Sequence, residues 1–90
     1  MATNRIRIEK VGDVNFVYPY LEVFFYDNSN PFLEIGISDE KQLMFKFYAS
    51  EGDTSLTVNE WEEILYEAKE FLPKALKDEE DYRRIFKKDQ

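Results

Sequence analysis

The 90-residue chain contains no cysteine and no histidine. The first absence removes disulfides and thiolate nucleophiles, and the two together remove the usual ligands of structural zinc. Missing histidine also takes away the side chain most often used as an acid or base near neutral pH. Glycine and proline number only three each, so no flexible linker divides the chain and a single domain over residues 1–90 is expected. No run approaches the roughly 20 apolar residues of a membrane span. Met1-Ala2-Thr3-Asn4-Arg5 leads into a polar alternation without the apolar stretch of a secretory signal, so a cytoplasmic protein is expected. Basic residues are outnumbered, 12 Lys and Arg against 19 Asp and Glu, and the net charge of −7 opposes direct attraction to nucleic acid or an anionic membrane. Together these deficits suggest a binding module with no catalytic residue, no metal and no cofactor.

Aromatic residues are abundant, with 8 Phe, 6 Tyr and 1 Trp, and each buries roughly 150 to 250 Å², so a core is attainable without staples. Two periodicities organise them. Ile6 and Ile8 alternate with charged neighbours, and the sets Leu21, Val23 and Phe25, then Leu33, Ile35 and Ile37, then Leu43, Phe45 and Phe47 also recur at every second position; each set shares one face of a strand. The turn formers Asp27-Asn28-Ser29-Asn30-Pro31 and Ser38-Asp39-Glu40-Lys41 join the last three strands into a meander over about residues 20–48. Val14 to Tyr18 either continues the first strand or forms a short fifth one, with Pro19 confined to an edge or a strand start.

After the loop of residues 49–55 the period becomes 3.6. Thr57 and Glu60 have capping-box spacing, Leu56 is placed as the staple, and Trp61, Ile64, Leu65, Ala68, Phe71 and Leu72 form one apolar stripe. Pro73 should stop or kink this helix. Ala75 to Lys88 then reads as a second, short helix contributing Leu76, Tyr82, Ile85 and Phe86 to the core, with acids Asp78 to Asp81 at its start and Arg83, Arg84, Lys87 and Lys88 at its end, as the helix dipole favours. Residues 87–90 should fray. The expected fold class is α+β: an antiparallel four- to five-stranded meander, one main amphipathic helix on one face and a short C-terminal helix.

Strand parity leaves the other face with Glu22, Phe24, Tyr26, Phe32, Glu34, Gly36, Met44, Lys46 and Tyr48. Four aromatics and a methionine on a face normally given to water call for a cover or a partner. Glu22 and Glu34 could face each other as an acid/base pair, but a cross-strand ion pair of Glu34 with Lys46 is the simpler reading. Asp27 to Asn30 lacks the glycine and distal glutamate of a calcium loop. Gly36 in a strand suggests a bulge or a close backbone approach.

Charge is more informative. Glu51, Asp53, Glu60, Glu62, Glu63, Glu67 and Glu70 stand against Lys69 alone, a local balance of −6. Glu60, Glu63, Glu67 and Glu70 recur at helical spacing, where like charges repel by a few tenths of a kcal/mol per pair. The dipole accounts only for the first turn. A solvated face is the plain reading; a docking surface for a basic partner, with Tyr66 as its flat anchor, is the sharper one. The candidate partner-binding residues are therefore Glu51, Asp53, Glu60, Glu63, Tyr66, Glu67 and Glu70.

The stretch from Val14 to Tyr82 resembles small immunity proteins of bacterial polymorphic-toxin and contact-dependent growth inhibition systems. The likeness rests on Pro31-Phe32-Leu33-Glu34-Ile35-Gly36-Ile37, Leu43-Met44-Phe45-Lys46-Phe47-Tyr48 and Leu56-Thr57-Val58-Asn59-Glu60-Trp61-Glu62-Glu63-Ile64, closing with Phe71-Leu72-Pro73. It implies an antitoxin that docks on one cognate toxin, often a nuclease acting on tRNA or other RNA, as a monomer in a 1:1 complex. A different class with the same charge is an acidic phage or mobile-element protein that mimics DNA to occupy a host nucleic-acid-binding protein.

Overall fold

The computed structural model describes residues 5–49 and 52–87, with side chains through residue 84. Four strands and one helix follow in order: β1 (Ile6–Val11), β2 (Tyr20–Phe25), β3 (Leu33–Ile37), β4 (Leu43–Phe47) and α1 (Val58–Lys87). The sheet is an antiparallel meander in the order β1-β2-β3-β4. Register places Ile8 opposite Val23, Val23 opposite Leu33 and Leu33 opposite Phe47, so the alternating apolar positions do share one face. Ile6, Leu21, Val23, Leu33 and Ile35 are buried there against Ile64, Ala68, Phe71 and Ala75 of α1.

Residues 14–18 form no fifth strand. Asp13 Oδ1 accepts the Asn15 amide at 2.9 Å and the Asp13 carbonyl accepts the Phe16 amide at 3.0 Å. This Asx-type turn consumes the backbone groups a strand would need. Asn28 caps the next turn in the same way, its Oδ1 accepting the Asn30 amide at 2.9 Å.

Nor does α1 end at Pro73. It runs unbroken for 30 residues, about 45 Å at 1.5 Å per residue. Pro73 is exposed, so the Lys69 carbonyl left without an amide faces water, while Phe71 and Ala75 grip the sheet on either side of it. The separate C-terminal helix is thus the second half of α1. Tyr82 is exposed because the helix has by then passed beyond strands of five or six residues, about 17–20 Å long. The acids Asp78 to Asp81 consequently sit inside α1 rather than at a helix start, with the i,i+4 pairs Lys77–Asp81, Glu79–Arg83 and Glu80–Arg84, while Arg83 and Arg84 do fall near the C-terminal end of the helix. The Ile85 and Phe86 side chains and residues 88–90 lie outside the described residues.

Two more positions depart from parity. Phe32 precedes β3 in a bend, and its ring stacks on Phe25 at 4.4 Å within the core instead of on the open face. Phe47 has the parity of the core but remains 56% exposed, because the buried strand residues that α1 covers belong to β1, β2 and β3. Gly36 lies in regular pairing opposite Met44, and a Cβ added there would meet nothing within 4 Å; it marks neither a bulge nor a close approach.

The β3–β4 hairpin closes through Lys41 N to Ser38 O at 2.9 Å and Ser38 N to Gln42 O at 2.8 Å, with Lys41 at φ 65°. A three-residue loop of this kind needs a left-handed residue at its last position, which costs a side-chain-bearing residue roughly 1–2 kcal/mol. Lys41→Gly should therefore raise unfolding free energy by about 1 kcal/mol, read from the urea midpoint at unchanged slope.

Candidate docking surface

The helix start is assembled from three parts of the chain. Thr57 Oγ1 accepts the Glu60 amide at 3.1 Å and Glu60 Oε1 accepts the Thr57 amide at 2.7 Å, the reciprocal box that the spacing predicts. Leu56 and Trp61 pack beside it against the core. Arg5, immediately before β1, then closes a fork on the same carboxylate: Nε to Oε2 at 2.6 Å and Nη2 to Oε1 at 2.7 Å. Its Nη2 also donates to the Ser55 carbonyl at 2.9 Å, and the guanidinium lies over the Phe25 ring.

Glu60 therefore leaves the set of docking residues. It is 1% exposed, its charge matched by Arg5 and its oxygens occupied by the cap. The Arg5 hydrogen bonds first, then the Thr57 amide, hold its carboxyl down at about 2 against an ordinary 4.5. In acid the unfolded chain takes up this proton before the folded one. The stabilisation is present above pH 4.5 and disappears as pH falls toward about 2.

The other candidates separate by geometry. At about 100° per residue, Glu63, Glu67 and Glu70 fall on the flank of α1 that carries Glu60, the side toward Arg5 and β1. Trp61, whose ring lies 5.8 Å from Phe45 and 6.4 Å from Phe47, marks the opposite flank, toward β4. Glu63 is half-buried, Glu67 and Glu70 are exposed, and Tyr66 is 63% exposed on the outer surface beside Glu62. Among the described residues none of Glu62, Glu63, Glu67 and Glu70 enters an ion pair, whereas the second half of the helix is laced with them. Uncompensated negative potential is thereby confined to the first half. Asp53 is exposed beside Asp27 and Tyr26, near Arg5 at the helix start. Glu51 lies outside the described residues.

A second acidic feature crosses the open face of the sheet. Glu9, Glu22, Glu34 and Lys46 occupy successive positions of one row, putting like charges directly opposite, which is unfavourable. The row is relieved locally. Arg7 reaches Glu9 at 3.4 Å while its guanidinium covers the buried Phe24 ring at 4.1 Å. The Tyr48 hydroxyl donates to Glu34 at 2.7 Å. Lys46 makes no ion pair with Glu34 among the described residues; its ammonium sits over the Tyr48 ring at 5.4 Å, because the tyrosine already holds the carboxylate. Donation to Glu34 and burial push the Tyr48 phenol up to about 12. Burial, with Glu22, Asp13 and Glu34, also raises Tyr20. Beside this row an open groove of about 840 Å³ is lined by Phe16, Tyr18, Tyr20, Met44 and Lys46.

Among the described residues no helix is long and apolar enough to cross a membrane, and no three acidic side chains converge as ligands for a metal ion. No protein-family model, curated protein sequence or solved structure matches the chain. The geometry defines an α+β domain with an acidic helical flank. The Arg5–Glu60 fork joins residues 55 apart, a pairing with no local signal; only the Thr57–Glu60 spacing hinted that Glu60 points inward.

Two measurements follow. Glu60→Gln should lower the thermal midpoint at pH 7 far more than Glu63→Gln, and its stability should lack the component the parent loses between pH 4.5 and about 2. In a phenolate absorbance titration, one tyrosine should ionise near pH 12 and be missing from Tyr48→Phe.

Proposed function

We propose that the chain is an immunity protein that binds and neutralises one cognate bacterial toxin, a nuclease acting on RNA or tRNA, by filling its basic active-site cleft. The observation that carries this reading is the unpaired acidic flank of Glu63, Glu67 and Glu70 beside exposed Tyr66. A nuclease must attract a polyanion and so presents a positive cleft. A rigid row of carboxylates offers that cleft substrate-like charge without a scissile bond. Complementary fields accelerate encounter, while a flat aromatic supplies the desolvated contact that slows release. The chain acts by occupancy in the cytoplasm and performs no chemistry.

The second reading, a DNA mimic occupying a host nucleic-acid-binding protein, is favoured by the Glu9–Glu22–Glu34 row, which places negative charge on the opposite side of the molecule as well. The two separate on the partner recovered in stoichiometric amount from the native cell: a nuclease inhibited by the bound chain supports the first, a non-catalytic nucleic-acid-binding factor the second. With that nuclease in hand, Glu63→Lys combined with Glu67→Lys should slow association about tenfold at low salt and flatten its dependence on ionic strength. Association rates equal to the parent's at every salt concentration would reject this flank.

A further inference from the structure

The two edges of the sheet are built differently. β1 carries Arg7, Glu9 and Lys10, charges of the kind that protect an edge from pairing. β4 reads Leu43-Met44-Phe45-Lys46-Phe47, with one charge, and no acid lies between Lys41 and Ala49. Met44 is 57% and Phe47 56% exposed.

Its backbone is open as well. Ser38 N donates to Gln42 O, and Tyr48 N to Phe32 O, so the even-numbered residues of this segment turn their polar groups toward β3. The alternation of an antiparallel ladder then points the amides and carbonyls of Leu43, Phe45 and Phe47 away from the sheet. Such a row is completed by another strand. Above it the core is unsealed. Trp61 leans on Phe45 and Phe47, and half-buried Leu65, Leu72 and Leu76 continue along the same flank of α1.

We propose that β4 pairs antiparallel with β4 of a second copy, joining the two sheets into one. The strand is its own complement. About a two-fold axis through Phe45, the outward residues pair Phe45 with Phe45 and Leu43 with Phe47 of the second copy. On the open face Met44 meets Lys46 of the second copy, a thioether against an apolar lysine stem. Charge favours this occupant too. In a molecule of net charge −7, this acid-free edge lets two copies approach without setting carboxylate against carboxylate, and the two Lys46 ammonium groups stand between the acidic rows that end at Glu34 in each copy. The axis runs perpendicular to the sheet, so both helices lie on the same side. Their Trp61–Leu65–Leu72 flanks face one another, and Glu63, Glu67 and Glu70 point outward, leaving the docking flank of each copy free.

The test is sedimentation velocity on the full chain from micromolar to near-millimolar concentration, where a concentration-dependent dimer is expected. Met44→Glu, placed opposite Lys46 of the second copy, should tighten the dimer about tenfold, and Met44→Lys should loosen it about tenfold, two cross-strand pairs changing in each case. Met44 is exposed, so both variants should keep the parent's circular dichroism. Phe47→Pro removes an outward amide while sparing the bonds to β3, and should abolish the dimer. A monomer at every concentration would overturn the proposal, as would a dimer indifferent to both Met44 substitutions, since that dimer would use another face. Neither result touches the reading of the acidic flank, which lies on the other side of the helix.

Discussion

The architecture depends on one buried charge-assisted contact, the fork of Arg5 on Glu60. A carboxylate that is 1% exposed is tolerable only with its charge matched and its lone pairs filled, and the site meets both needs with Arg5 and the Thr57 amide. The contact ties the beginning of β1 to the first turn of α1. Since Arg5 also bonds Ser55, the loop entering the helix is held at the same point. Helix position, and with it the face shown by every later residue, follows from this junction.

From that position comes an asymmetric molecule. The Glu60 flank lies toward β1 and continues as Glu63, Glu67 and Glu70, with no base on that flank before Lys74. The Trp61 flank lies toward β4, where the apolar surfaces of strand and helix meet incompletely. Electrostatic and apolar surfaces are thus segregated on opposite sides of one helix. Long-range attraction and short-range burial, which act by different physics, can serve different contacts without interfering.

Much of the fold was legible because short-range rules decide it. The alternations from Ile6 to Phe47, the asparagine-rich turn, the Ser38–Lys41 hairpin and the Thr57–Glu60 box depend on residues within a few positions of one another. Where reading failed, a contact that periodicity and propensity do not encode had intervened. The Val14–Tyr18 alternation yielded to the Asp13 turn. Pro73 did not break α1 because its exposed position leaves the orphan carbonyl to water while packing holds both sides. Phe32 left its parity face to stack on Phe25, and Glu60 left the docking stripe for a partner 55 residues away.

The amino-acid order alone determined that this is an acidic, cysteine- and histidine-free α+β domain with a capped amphipathic helix and an excess of carboxylates between Glu51 and Glu70, because composition and periodicity act through neighbours in the chain. Only the tertiary structure decided which of those carboxylates are spent internally and which face outward, and which sheet edge is left bare. Both outcomes turn on where a single helix crosses four strands, a placement set by contacts between residues that no local pattern connects.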